Sequence, residues 1–161
     1  MAADTFLEID GCKGETTDEK FKECIEVLSW SWGQTNAGSH GSGGGGGAGK
    51  VQMQDFHFVN QFGKHSPKLI EFCATGAHIP KAVLTCRKAG GKQEEYLVFE
   101  FKNLLISSYQ TGCSQGSDRP TDQCSFNYTE VKCNYQEQKE DGSVGGNFAA
   151  GYDLAKNKKI A

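Results

Sequence analysis

The most explicit chemical pattern in the chain is Gly44-Gly-Gly-Gly-Ala-Gly49-Lys50, which satisfies G-x-x-x-x-G-K and follows a strand-like segment. A phosphate cradle of that kind needs a hydroxyl residue after the lysine and a helix whose amino terminus faces the anion. Here Val51 follows Lys50, and the next residues alternate as a strand. A run of glycines meets the pattern almost automatically, so a nucleotide-binding enzyme stays only as an alternative. The four histidines, at 40, 57, 65 and 78, lack the i, i+4 spacing of a helical metal site. Cys73 and His78 could form a nucleophile and base, but nothing local marks them as a pair. Carboxylate pairs such as Asp18-Glu19 and Glu94-Glu95 fall in polar flanks and read as solvated groups. No catalytic, cofactor-binding or metal-binding residue is assigned.

The seven cysteines, at 12, 24, 73, 86, 113, 124 and 133, are odd in number, irregularly spaced and without a CxxC pair. That pattern fits reduced thiols serving as small buried hydrophobes. Cys12 and Cys113 are the expected exceptions, because each lies among turn residues where a thiol would be exposed and oxidisable. With 161 residues and a net charge of −3, the chain is expected to be one domain, 1–161, with no electrostatic reason to bind nucleic acid. No apolar run approaches the ~20 residues of a membrane span, and the first residues lack the basic and apolar regions of a secretory signal. The expectation is synthesis in the cytoplasm and no membrane insertion.

The elements that must position these residues are mostly strands. Leu28, Trp30 and Trp32 alternate with Ser29, Ser31 and Gly33, predicting a strand over Cys24 to Trp32 with a dry indole face and a small, uncharged wet face. A flexible glycine-rich loop over about 34–50 should follow. Phe6 to Ile9 and Val51 to Asn60 read as strands, the second with a β-bulge near Gln54-Asp55 where the apolar parity changes. Ser66-Pro67 opens a helix over about 66–75, with Leu69, Ile70, Phe72 and Cys73 on its apolar face and Gly76 ending it. Ile79 to Lys88 and Glu94 to Asn103 form a hairpin around Ala89 to Gln93, and Leu104 to Thr111 continues as strand. Cys124, Phe126 and Tyr128 hand over to Val131, Cys133 and Tyr135 with shifted parity, predicting a second bulge near Thr129-Glu130. Gln136 to Gly146 reads as a polar loop opening a carboxyl-terminal tail over about 137–161. Seven or eight strands and one helix make a mainly β fold, a compact barrel or closed sandwich of two sheets.

Several stretches are familiar in combination: Asp4-Thr-Phe-Leu-Glu-Ile-Asp-Gly-Cys-Lys-Gly-Glu, Ile25-Glu-Val-Leu-Ser-Trp-Ser-Trp-Gly33, and the glycine run closing in Gly49-Lys50-Val51. With Lys88-Ala-Gly-Gly-Lys-Gln-Glu-Glu-Tyr-Leu and Gly151-Tyr-Asp-Leu-Ala-Lys-Asn, they resemble the Hcp family, the hemolysin-coregulated tube proteins of bacterial type VI secretion systems. The resemblance covers essentially the whole chain. It implies a β-barrel with one helix that forms a homohexameric ring. Such rings stack into the inner tube, inside a sheath and beneath a VgrG spike, leave the cell without a signal peptide, and carry small effector proteins. The chain stops just after the family's tail motif, so no fused effector domain is expected. On this reading Ser29 and Ser31 are the pore-facing, effector-contacting candidates. Gly45, Gly46 and Gly47, with Gly90 and Gly91 of the hairpin turn, are candidates for contacts between subunits or stacked rings. A monomeric β-barrel binding protein is the other alternative.

Overall fold

The computed structural model describes residues 3–38, 49–89 and 91–161. Twelve strands and one helix are present among them: β1 (Ala3–Ile9), β2 (Ile25–Glu26), β3 (Ser29–Ser31), β4 (Gln34–Asn36), β5 (Val51–Met53), β6 (Phe56–Gln61), α1 (Ser66–Thr75), β7 (Ile79–Lys88), β8 (Glu95–Gly112), β9 (Thr121–Asn127), β10 (Glu130–Gln138), β11 (Val144–Asp153) and β12 (Lys158–Lys159). One layer runs β12-β11-β10-β8-β7-β1-β2, and the other joins β3, β6 and β9 to the second half of β8, with every pairing antiparallel. A separate ribbon pairs β4 with β5.

The eighteen-residue β8 joins the layers. Its first half pairs with β7 and β10, and from Leu105 onward it pairs with β9. Asn103, between the halves, has φ 56, the left-handed conformation that asparagine tolerates better than most side chains. The inward positions of both layers meet in an aromatic core. Phe56, Phe58, Phe101 and Phe126 are fully buried, with Phe99 and Tyr128 nearly so, and neighbouring rings lie 4.9 to 6.4 Å apart. The helix lies against β8, with Leu69 buried and Gly76 closing it at φ 66, where its amide donates to the Phe72 carbonyl. That backbone angle is why glycine ends the helix there. Its start differs from expectation: His65 occupies the N-cap position without a side-chain cap, while Ser66 is already helical.

The single strand expected over Cys24 to Trp32 is two. β2 pairs with β1, the chain crosses layers at Val27-Leu28, and β3 pairs with β6. The crossing turns Val27 inward and leaves Leu28 59% exposed, so Leu28 does not share the dry face of the tryptophans. Neither predicted bulge is present at its expected site. At Gln54-Asp55 and at Tyr128-Thr129 the chain leaves one set of partners for another, and this transfer produces the parity change. Tyr128 ties the two places together: its hydroxyl donates to the Gln54 carbonyl at 2.8 Å and accepts from the Trp32 indole nitrogen. Burial pushes the Tyr128 phenol up to about 12. Ile70, expected on the apolar face of α1, is 44% exposed. Gly145 and Gly146 are not part of a loop: they belong to β11, at a register irregularity of its ladder with β10 between the pairs Gln136–Asn147 and Gln138–Val144.

Candidate assembly surfaces

The outward face of the β3-β6-β9-β8 layer gathers side chains from four strands. Ser29 and Ser31 are exposed on β3 and face Val59 and His57 of β6 across the ladder. His57 in turn faces Ser125, and Val59 faces Gln123. Ser125 meets Ser108, and Gln123 meets Gln110. An irregularity between Ile106 and Ser108 brings Ser107 and Ser108 together at Ser125, and all three hydroxyls are hydrogen-bonded. Asp55 borders this patch, accepting from Ser107 at 2.6 Å and from the Asn127 amide at 3.0 Å. The strand positions themselves are hydroxyl, amide, imidazole or aliphatic, and none carries a carboxylate or ammonium.

Trp30 lies directly behind the serines, stacked 6.0 Å from Phe56 and edge-on to Phe99 at 5.5 Å. The expectation that the indoles face inward while Ser29 and Ser31 face outward therefore describes this geometry. His57, Gln123, Ser125, Ser107 and Gln110 were not singled out from the sequence. The available signal was the lack of charge at the wet positions of 105–112 and 121–127.

The other layer has a different outward face. Across β8 and β10 Lys102 faces Glu130 and Glu100 faces Lys132, while Lys81 of β7 lies opposite Lys102. Lys81 lies 3.6 Å and Lys102 3.9 Å from the Glu100 carboxylate. The two wet faces of one barrel thus offer opposite chemistries, one charged and one neutral.

Among the other singled-out residues, Gly45, Gly46, Gly47 and Gly90 lie outside the described residues. Gly91 sits in the β7–β8 turn at φ 60, with open space where a Cβ would be. Lys50 is exposed and leads directly into β5, so the segment after it is a strand and not the helix start that a phosphate cradle uses. Cys113 is exposed, as expected. Cys12 is not: its turn folds inward, its thiol lies 3.6 Å from the His65 carbonyl, and burial pushes the thiol up to about 11.

A buried polar cluster at the start of α1 was also not anticipated. Asp122 accepts from the Ser66 hydroxyl and, at 2.8 Å, from the Tyr109 hydroxyl; burial first, then Asp122, pushes Tyr109 up to about 12. His65 meets Asn60 through Nε2 and not Ser66, so serine, histidine and aspartate do not form a relay. Asn60, Ser66 and Asp122 have no exposed surface, which suits a tie between helix and sheet and gives a substrate no access.

Between the β4–β5 ribbon and the β10–β11 hairpin lies a cavity of about 550 Å³ lined by Trp32, Met53, Val131, Cys133, Ala150 and Tyr152 among others. The same β10–β11 face continues beyond it to Tyr135 and Phe148, which are paired across the strands and are 45% and 60% exposed.

Comparison with known proteins gives a consistent result. The family model described as "Type VI secretion system effector, Hcp" matches residues 6–135. Protein hcp1 of Pseudomonas aeruginosa is 46% identical over 159 residues, covering 98% of each chain. A structure described as that of a type six secretion system protein superposes with a TM-score of 0.92 at 34% identity, covering 99% of this chain and 100% of the other. Hcp1 from Salmonella typhimurium superposes with a TM-score of 0.82 at 35% identity, with the same coverage.

Proposed function

Because this chain belongs to the Hcp family of type VI secretion proteins, we propose that it is a structural subunit of the secretion tube, with residues 1–161 acting as one tube domain. Six copies form a ring, rings stack into the inner tube beneath the spike and within the sheath, and the rings leave the cell carrying small effector proteins. The lumen is lined by the neutral layer: Ser29 and Ser31 together with His57, Ser107, Gln110, Gln123 and Ser125. The glycine-rich segment that includes Gly45, Gly46 and Gly47, and the turn with Gly90 and Gly91, meet neighbouring subunits or rings.

The contrast between the two outward faces is the observation that supports this reading. A wall that meets different cargoes gains from groups that hydrogen-bond without demanding a counter-charge, since an unpaired charge is costly to cover. The charged face suits permanent contact with solvent or with a fixed, complementary sheath. Light scattering on a size-exclusion column, with reductant present, tests the ring. A particle of six subunits is expected, and a monomer at every concentration would refute the ring and favour a monomeric binding protein.

A further inference from the structure

We propose that β11 is the strand through which one copy of this chain binds the next, by its free backbone edge and by the uncovered aromatic pair Tyr135–Phe148. The inference rests on the ring reading above and names a contact that reading leaves open.

Two independent observations converge on β11. The first is its backbone. Ile160 donates to the Gly151 carbonyl from the outer side, so the alternate residues Asn147 and Ala149, in continuous register with β10, also direct their backbone groups outward. Among the described residues, β12 covers this edge only at Tyr152 and Asp153. The uncovered part carries no lysine, proline or other charge of the kind that blunts an edge against pairing. The second is its inner face. Val131, Cys133 and Tyr135 lie across from Tyr152, Ala150 and Phe148, so one side of the hairpin runs from the core, past the cavity, to two largely exposed rings. The facing layer does not reach them. Two uncovered aromatic rings have the composition of an interface centre and not of a rim, and the cavity beside them is apolar along β10 and β11 and polar where Gln34, Asn36 and Lys50 line it.

Charge identifies the occupant as a second copy. Residues 142–152 contain no carboxylate, amine, guanidinium or imidazole, and neither do 27–38, which include β3. Among the described residues β3 pairs only with β6, so its outer edge is also free. Two neutral edges can meet without burying an unpaired charge. They belong to different layers of the barrel, so joining them is head-to-tail, the kind of contact that closes a ring or extends a filament.

The experiment compares the full-length wild-type chain with Phe148→Asp and Ala149→Pro. Both positions are exposed, and the Ala149 amide points away from β10, so either variant should keep its fold, checked by circular dichroism. Six-subunit mass for the wild type and single-subunit mass for both variants is the expected result. Six-subunit variants beside a six-subunit wild type would overturn the β11 contact and leave the ring standing. A monomeric wild type would overturn the ring itself and the contact with it. Hydrogen exchange on the wild-type particle gives a readout without mutation: the 144–151 peptide should be protected, and free exchange there in an assembled particle would refute the contact.

Discussion

Replacing Phe101 with alanine should cost this fold more than any surface change, and the size of the loss follows from its neighbours. Phe101 is fully buried on β8, held between Ala82 of β7 and Val131 of β10. Its ring lies 5.0 Å from Phe56, 5.0 Å from Phe126, 4.9 Å from Tyr128 and 6.1 Å from Phe99. Phe56 and Phe126 belong to the neutral layer, so this ring helps to hold the two layers together. Backbone ladders on both sides of β8 prevent the hole from collapsing, which places Phe101→Ala within the range of about 3–5 kcal/mol for such truncations. A domain with about 5–15 kcal/mol of total stability would lose a large share. At a urea dependence of about 2 kcal/mol per molar, the midpoint should fall by roughly 2 M with an unchanged slope. Trp30 and Trp32 pack against this core, so their emission reports the transition. Measurements at several protein concentrations would separate core loss from assembly, which raises the midpoint by mass action. A folded Phe101→Ala variant whose midpoint moves by less than about 0.5 M would refute the claim that this cluster joins the layers.

Three further outcomes follow. The Arg87 guanidinium sits over the rings of Phe6 and Phe21 and pairs with Asp4 and Asp18, and its hydrogen bond holds the Asp18 carboxyl below the usual aspartate range. A depressed carboxylate contributes stability above its unfolded value and loses it as pH falls through the native one; the melting-temperature gap between wild type and Arg87→Gln should therefore narrow below about pH 4, and a gap constant from pH 7 to 3 would show that the clamp contributes nothing. Under native reducing conditions a maleimide should label Cys113 fast and Cys12, Cys24, Cys86 and Cys124 slowly, as mass mapping would show; rapid labelling of Cys12 would contradict its burial. In a Cys113→Ser background, spin labels at Ser31→Cys should give shorter neighbour distances in the ring than labels at Lys102→Cys, and the reverse order would place the charged layer at the lumen.

Local signals in the sequence carry much of this fold, because strand alternation and helix ends depend on neighbours along the chain. The helix over 66–75 and its stop at Gly76 follow from Pro67 and from a glycine able to adopt the left-handed conformation. The hairpin around Ala89 to Gln93 and the inward row Leu97, Phe99 and Phe101 are equally local. What was misread depends on partners distant in sequence. A parity change at Gln54-Asp55 has the same signature whether one strand bulges or the chain moves to another sheet, and only the pairing partners distinguish them. Leu28 kept the alternation of its strand on paper but sits at a crossing that reverses it. Gly145 and Gly146 looked like loop because glycine is poor in strands, yet an edge strand tolerates them. The neutral face was half legible: Ser29 and Ser31 were found within one strand, while their company with His57, Ser125 and Gln123 is a matter of register across strands. Cys12 failed for a related reason, since a turn composition predicts exposure only if nothing packs on the turn.

The neutral face and the free β11 edge place different demands on the same barrel. On the proposed reading the neutral face is a lumen wall that must stay indifferent to what passes, and its groups are satisfied locally: Ser107 and Ser108 each bond Ser125, and Asp55 is occupied by Ser107 and Asn127. An assembly edge must be left unsatisfied in the isolated chain, because the missing hydrogen bonds and uncovered rings are what a neighbour supplies. Phe148 at 60% exposure and the open backbone of Asn147 and Ala149 fit that second role. The two regions also lie in different layers, so a substitution in the wall need not disturb the contact. If both proposals hold, cargo preference varies through Ser29, Ser31, Gln110 and Gln123 while ring formation depends on β11. If the same substitutions always abolished both properties, the separation of roles between the layers would be wrong.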